Sequence, residues 1–68
     1  MCQSNVYLIQ NGKEKLLLEE VILIEFQGKK ILLKSIFGEE EIIEAKIKTI
    51  DLFRHRIILE KETHSQRN

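Results

Sequence analysis

Three side chains in this 68-residue sequence offer the soft or borderline donors that hold late transition metals: Cys2, His55 and His64. Cys2 is the only cysteine and follows Met1 directly, so a thiolate and the terminal nitrogens of the chain share one small volume. If Met1 is removed, the α-amine and thiolate of Cys2 form a five-membered chelate. If it is kept, the deprotonated amide nitrogen of Cys2 takes the amine's place. Either route gives one nitrogen and one sulfur, half of a square-planar set suited to Ni(II) or Cu. Two chains meeting at their amino termini on a two-fold axis would complete an N2S2 set, so this reading requires a homodimer or donors borrowed elsewhere. Both donors bind as protons leave, which makes affinity weaken toward acid pH. The competing reading is a free thiol at a chain end or one tucked against the core.

The two histidines match no zinc signature in their spacing. His55 shares its parity with Phe53 and Ile57, which reads first as a strand histidine and only second as an extra ligand. His64 lies in the polar run Thr63 to Asn68 and reaches a metal only if that run folds back. Glu39, Glu40 and Glu41 are adjacent rather than spaced as in a calcium loop, and read as a solvated corner. Ser4 and Ser35 have no nucleophile context, and the three glycines form no phosphate loop, so the chain reads as a non-enzyme.

Eleven basic residues balance eleven acidic ones, which argues against a surface built for nucleic acid. Lys29, Lys30, Lys34, Arg54 and Arg56, with Phe53 or Tyr7 as stacking surfaces, are the raw material for such binding, but a solvated outer face needs the same residues. A single cysteine makes no internal disulfide, and the start lacks the basic and apolar regions of a signal peptide, so a cytoplasmic location is expected. The longest apolar runs, Val21 to Ile24 and Leu16 to Leu18, are far too short to span a bilayer.

Short apolar segments between turn signals must position these donors, and they describe a small all-β protein. Asn5 to Gln10 is a strand ending at Asn11-Gly12, a two-residue hairpin turn, with Lys13 to Glu19 as the return strand. Glu19-Glu20 then bend the path, and Val21 to Gln27 starts a new central strand with Val21 and Leu23 on one face and Ile22, Ile24 and Phe26 on the other. After Gly28-Lys29, Lys30 to Phe37 turns Ile31, Leu33 and Phe37 inward. Ile42 to Lys48 follows with Ile43, Ala45 and Ile47 on one parity. Ile50 to Leu52 bends, and Phe53 to Lys61 is the last strand. Eleven isoleucines and no proline favour strands throughout. Several short strands in so few residues close most economically into a barrel, which hides their edges. Residues 1–61 form one domain and residues 62–68 a polar, disordered tail; a core this small would benefit from oligomerisation or a metal.

Met1-Cys2, Val6 and Leu8, Asn11-Gly12, Glu20-Val21, Phe37-Gly38-Glu39-Glu40 and Ile50-Asp51-Leu52 followed by Ile57 to Leu59 occur in an order that resembles the CooT family. These are small proteins associated with nickel insertion into carbon monoxide dehydrogenase, some of them labelled RNA-binding. The resemblance implies an SH3-like β-barrel of about five to seven short antiparallel strands. It also implies a Ni(II) site on Cys2 at a subunit interface, with carbon monoxide dehydrogenase or its maturation proteins as partner. It implies no catalytic residue. The histidine-containing tail is a departure from the family. An RNA-binding or protein-interaction barrel with an incidental cysteine is the alternative.

Overall fold

The computed structural model describes residues 3–61, which form six strands and no helix. They are β1 (Ser4–Gln10), β2 (Lys13–Gln27), β3 (Lys30–Ser35), β4 (Glu40–Ile43), β5 (Lys46–Asp51) and β6 (Arg56–Glu60). One sheet holds them in the order β4-β3-β2-β1-β6-β5. The β1–β2 hairpin turns at Asn11-Gly12 as expected, with φ of 55° and 76° at the two turn residues, the left-handed pair that a type I′ turn requires.

β2 is a single strand of 15 residues rather than two strands broken at Glu19-Glu20. Its first part pairs with β1 and its second with β3, the exchange falling at Val21, which faces Ser4 on one side and Ser35 on the other. Glu20 has a left-handed φ of 55° and lies where the β1 register slips between Ser4 and Val6. A bulge of this kind absorbs a residue without ending the strand. A second slip between Val21 and Leu23 reverses the expected alternation. Val21 therefore shares the core face with Ile24 and Phe26, whose partners Leu33 and Ile31 are buried, while Leu23 pairs with Lys34 on the outer face.

The core is one layer of side chains: Val6 and Leu8 of β1, Leu18 and Val21 of β2, Ile31 and Leu33 of β3, Ile57 and Leu59 of β6. Ile43, Ala45 and Ile47 share a parity as expected and pack against it. The segment from Ile42 to Lys48 is not one strand, however, because pairing with β3 ends at Ile43 and pairing with β6 begins at Lys46. Only Glu44-Ala45 joins the two edge strands, so the Cα atoms of Ile43 and Lys46 lie within about 11 Å of each other. The sheet is thus strongly curled, and Phe26 and Gly28 of the β2–β3 hairpin line a cavity of about 330 Å³ with Ala45 and Ile47.

Two features of the expected barrel are corrected. Among the described residues no ladder joins β4 to β5, so the sheet stays open and its edges remain. Nor is every pair antiparallel: β1 and β6 run parallel, Val6 opposite Ile57 and Leu8 opposite Leu59. Parallel register brings alternate side chains of both strands to the same face, and four of the eight core residues come from this pair. The disordered polar tail expected at residues 62–68 lies outside the described residues, as do residues 1 and 2.

Candidate functional site

Met1, Cys2 and His64 lie outside the described residues, whereas His55 and the surroundings of the chain's first strand are described. Asn5 is the hub of that region. Its backbone N–H donates to the carbonyl of His55 at 3.0 Å, and its side-chain Oδ1 accepts from the backbone N–H of Glu20 at 3.1 Å. The carbonyl of Glu20 in turn accepts from the N–H of Ile36 at 2.8 Å. One asparagine thereby lashes the beginning of β1 to the β2 bulge, through it to the β3–β4 turn, and on the other side to the β5–β6 turn. In the sequence only Gln3 and Ser4 lie between Cys2 and Asn5.

The β3–β4 turn is set by Ser35, which was expected to be inert and is the one buried polar side chain of the described core, 1% exposed. Its Oγ accepts from the N–H groups of Phe37 at 3.1 Å and Glu39 at 3.2 Å. Its own N–H donates to the Glu39 carbonyl at 2.8 Å, and its carbonyl accepts from Gly38 at 3.0 Å. A hydroxyl that caps its own turn is the usual work of serine outside regular structure. Phe37, expected inside, is consequently held outward and is 72% exposed.

The β5–β6 turn is built the same way by Asp51. Its Oδ1 accepts from the N–H groups of Phe53 at 3.1 Å and Arg54 at 3.0 Å, and its Oδ2 pairs with the Arg54 guanidinium at 3.1 Å. The backbone N–H of Arg54, and then its guanidinium, hold the Asp51 carboxyl below its ordinary value. Residues 52–55 are therefore turn, not the start of the last strand, and Phe53 stands 89% exposed beside exposed Leu52. His55 is on no strand face: it closes the turn with a left-handed φ of 56° and is exposed.

The turn thus brings His55 to the strand that Cys2 precedes, a proximity that sequence parity hid. Among the described residues no three His, Cys, Asp or Glu side chains group as a metal site. His55 is the one imidazole among the described residues, and its carbonyl is tied to Asn5 of the first strand. Sequence reading passed over Asn5 because an asparagine at the start of a strand carries no local signal of its distant partners.

Three of the basic residues have acidic partners. Arg56 lies over the Tyr7 ring, 4.5 Å from its centroid, and pairs with Glu14. Arg54 is engaged by Asp51, and Lys34 is 3.9 Å from Glu40. Lys29 lies in the β2–β3 turn, a separate turn from the one that carries Arg54.

Comparison with known proteins supplies the context. Residues 1–60 match the family described as CO dehydrogenase accessory protein CooT. An uncharacterized protein of Methanocaldococcus jannaschii is 35% identical over 60 residues, 88% of this chain and 98% of the relative. An uncharacterized protein of Methanothermobacter thermautotrophicus is 39% identical over 62 residues, 91% and 92% of the two chains. A crystal structure of a CooT candidate from Carboxydothermus hydrogenoformans superposes with a TM-score of 0.84 at 39% identity, covering 91% of this chain and all of that one. Sequence and fold agree over about nine-tenths of the chain, and the chain belongs to the CooT family of CO dehydrogenase accessory proteins.

Proposed function

We propose that this protein is a metallochaperone that carries Ni(II) to carbon monoxide dehydrogenase in a reducing cytoplasm. The cargo is held by the Cys2 thiolate and an amino-terminal nitrogen from each of two copies. The observation that carries this reading is the fixing of Asn5 between the β2 bulge and the β5–β6 turn, which gives the segment that begins with Cys2 a defined base. Beside that base stands the apolar turn Leu52-Phe53, both residues exposed. Covering it against a second copy would remove apolar surface from water and bring two amino termini together, the arrangement a two-fold N2S2 site needs. Ligands at a chain end are easily displaced, which suits a protein that must release its cargo. The accessory role of the family supports CO dehydrogenase as the recipient.

The test is an anaerobic Ni(II) titration with sedimentation at each step. Sulfur-to-nickel charge-transfer absorption should saturate at one metal per two chains, and Cys2→Ser should abolish it while leaving the fold intact. Unchanged nickel affinity and spectrum in Cys2→Ser would refute the site, and a monomer at saturation would refute the shared geometry.

A further inference from the structure

β2 has an open edge. Its pairing with β3 starts at Val21, preceded only by the bond from the Ile36 N–H to the Glu20 carbonyl, so among the described residues positions 13–19 pair with β1 alone. In a strand with one neighbour, half of the main-chain donors and acceptors face away from it, a template onto which another extended chain can add. This edge borders a groove of about 590 Å³ between β2 residues 16–19 and the β3–β4 turn. Leu16 and the outward-held Phe37 give the groove an apolar wall. Glu19, Glu39, Glu40 and Glu41 give it four carboxylates, and among the described residues no lysine or arginine lines it. Lys34 lies 3.9 Å from Glu40.

An unpaired strand edge, an apolar wall and an acidic rim together select one kind of occupant. We propose that the groove beside β2 residues 16–19 is a strand-addition site for an extended, basic segment of another protein, with apolar side chains alternating with lysine or arginine. The main chain of the segment would continue the sheet, its apolar side chains would meet Leu16 and Phe37, and its cations would meet Glu39 and Glu41. A second copy offering this same edge would bring carboxylates onto carboxylates, which disfavours self-pairing here. The proposal does not involve Cys2, and its test uses metal-free protein, so it can fail while the nickel reading stands.

The probe is a capped nonapeptide of alternating lysine and valine, with a glutamate-valine peptide as control. Each is titrated into the metal-free, isotope-labelled full chain while amide shifts and exchange are followed. The lysine peptide should shift the amides of residues 16–19 and of Phe37, slow exchange along that edge, and bind more weakly as salt rises. The double variant Glu39→Gln/Glu41→Gln keeps the backbone bonds of Glu39 to Ser35 and should weaken binding at least about fivefold. Overturning results are equal binding of the glutamate peptide, unchanged binding by the variant, shifts confined to β4 or β5, or no binding at about millimolar peptide. Sedimentation showing that the unsubstituted, metal-free protein self-associates through this edge would equally overturn it, by making a second copy the occupant.

Discussion

Replacing Ser35 by alanine removes the acceptor that shapes the β3–β4 turn without disturbing the apolar core. Two N–H donors, of Phe37 at 3.1 Å and Glu39 at 3.2 Å, lose their partner. A net intramolecular hydrogen bond contributes about 0.5–1.5 kcal/mol, which gives a range of about 1–3 kcal/mol for the pair. Both donors are only partly buried, so water can replace the hydroxyl and the lower half of that range applies, about 1–2 kcal/mol. The whole domain has of the order of 3–10 kcal/mol to lose, at roughly 0.05–0.15 kcal/mol per residue. With a urea slope of about 1 kcal/mol/M for so small a chain, the midpoint should fall by about 1–2 M. Amide exchange supplies the local readout: Phe37 and Glu39 should lose protection more than Leu33 or Leu59 in the centre of the sheet. A midpoint shift below about 0.3 M with unchanged exchange at Phe37 and Glu39 would show that the hydroxyl is not what holds the turn. The same variant loosens Phe37, so it should also weaken the lysine peptide in the groove.

Three further outcomes follow from the same structure. Asp51 has its carboxyl held low by the Arg54 backbone N–H, so its contribution to stability is complete above the unfolded value near 4 and is lost as pH falls through the lower folded value. Carbon-detected titration should place its midpoint below 3.8, and a midpoint at or above it would contradict the capped turn. Leu33→Ala empties the centre of the core, where Leu33 is 0% exposed, and should cost about 2–5 kcal/mol in thermal or urea unfolding; a cost under about 1 kcal/mol would mean that the curled sheet does not close over it. His55→Asn places at the left-handed position a residue that tolerates it better, so stability should hold or rise slightly. A fall in nickel affinity in that variant, read by titration with stability unchanged, would make His55 a ligand.

Local chemistry was legible and distant pairing was not. Asn11-Gly12 announced its hairpin because the left-handed pair is written into those two residue types. The joining of Lys13 to Gln27 into one strand was hidden because the device that permits it is a bulge at Glu20, and nothing in a glutamate announces a left-handed φ. One such slip flips every later side chain, which is why Val21 and Leu23 were assigned to the same face and occupy opposite ones. Phe37 is misplaced when alternation runs past Ser35, whose side chain stops β3, and His55 when the last strand begins at Phe53, before the turn capped by Asp51 has closed. The order of strands, with β6 parallel to β1, follows from no local pattern at all. At the candidate site the sequence carries no signal of Asn5, the residue that brings His55 to the chain's first strand.

An open sheet has a consequence that a closed barrel would not. Closure would satisfy every edge internally, whereas here β2 keeps an unpaired stretch that ends at the same bulge to which Asn5 is tied. Glu19, in the groove, is the chain neighbour of Glu20, whose N–H is held by the Asn5 side chain. A segment added along residues 16–19 would therefore press on the element that anchors the start of β1, three residues from Cys2. If both proposals hold, partner binding and metal release are mechanically adjacent. Occupation of the groove should then change the rate at which nickel leaves for a competing chelator, and an unchanged release rate under saturating lysine peptide would separate the two sites.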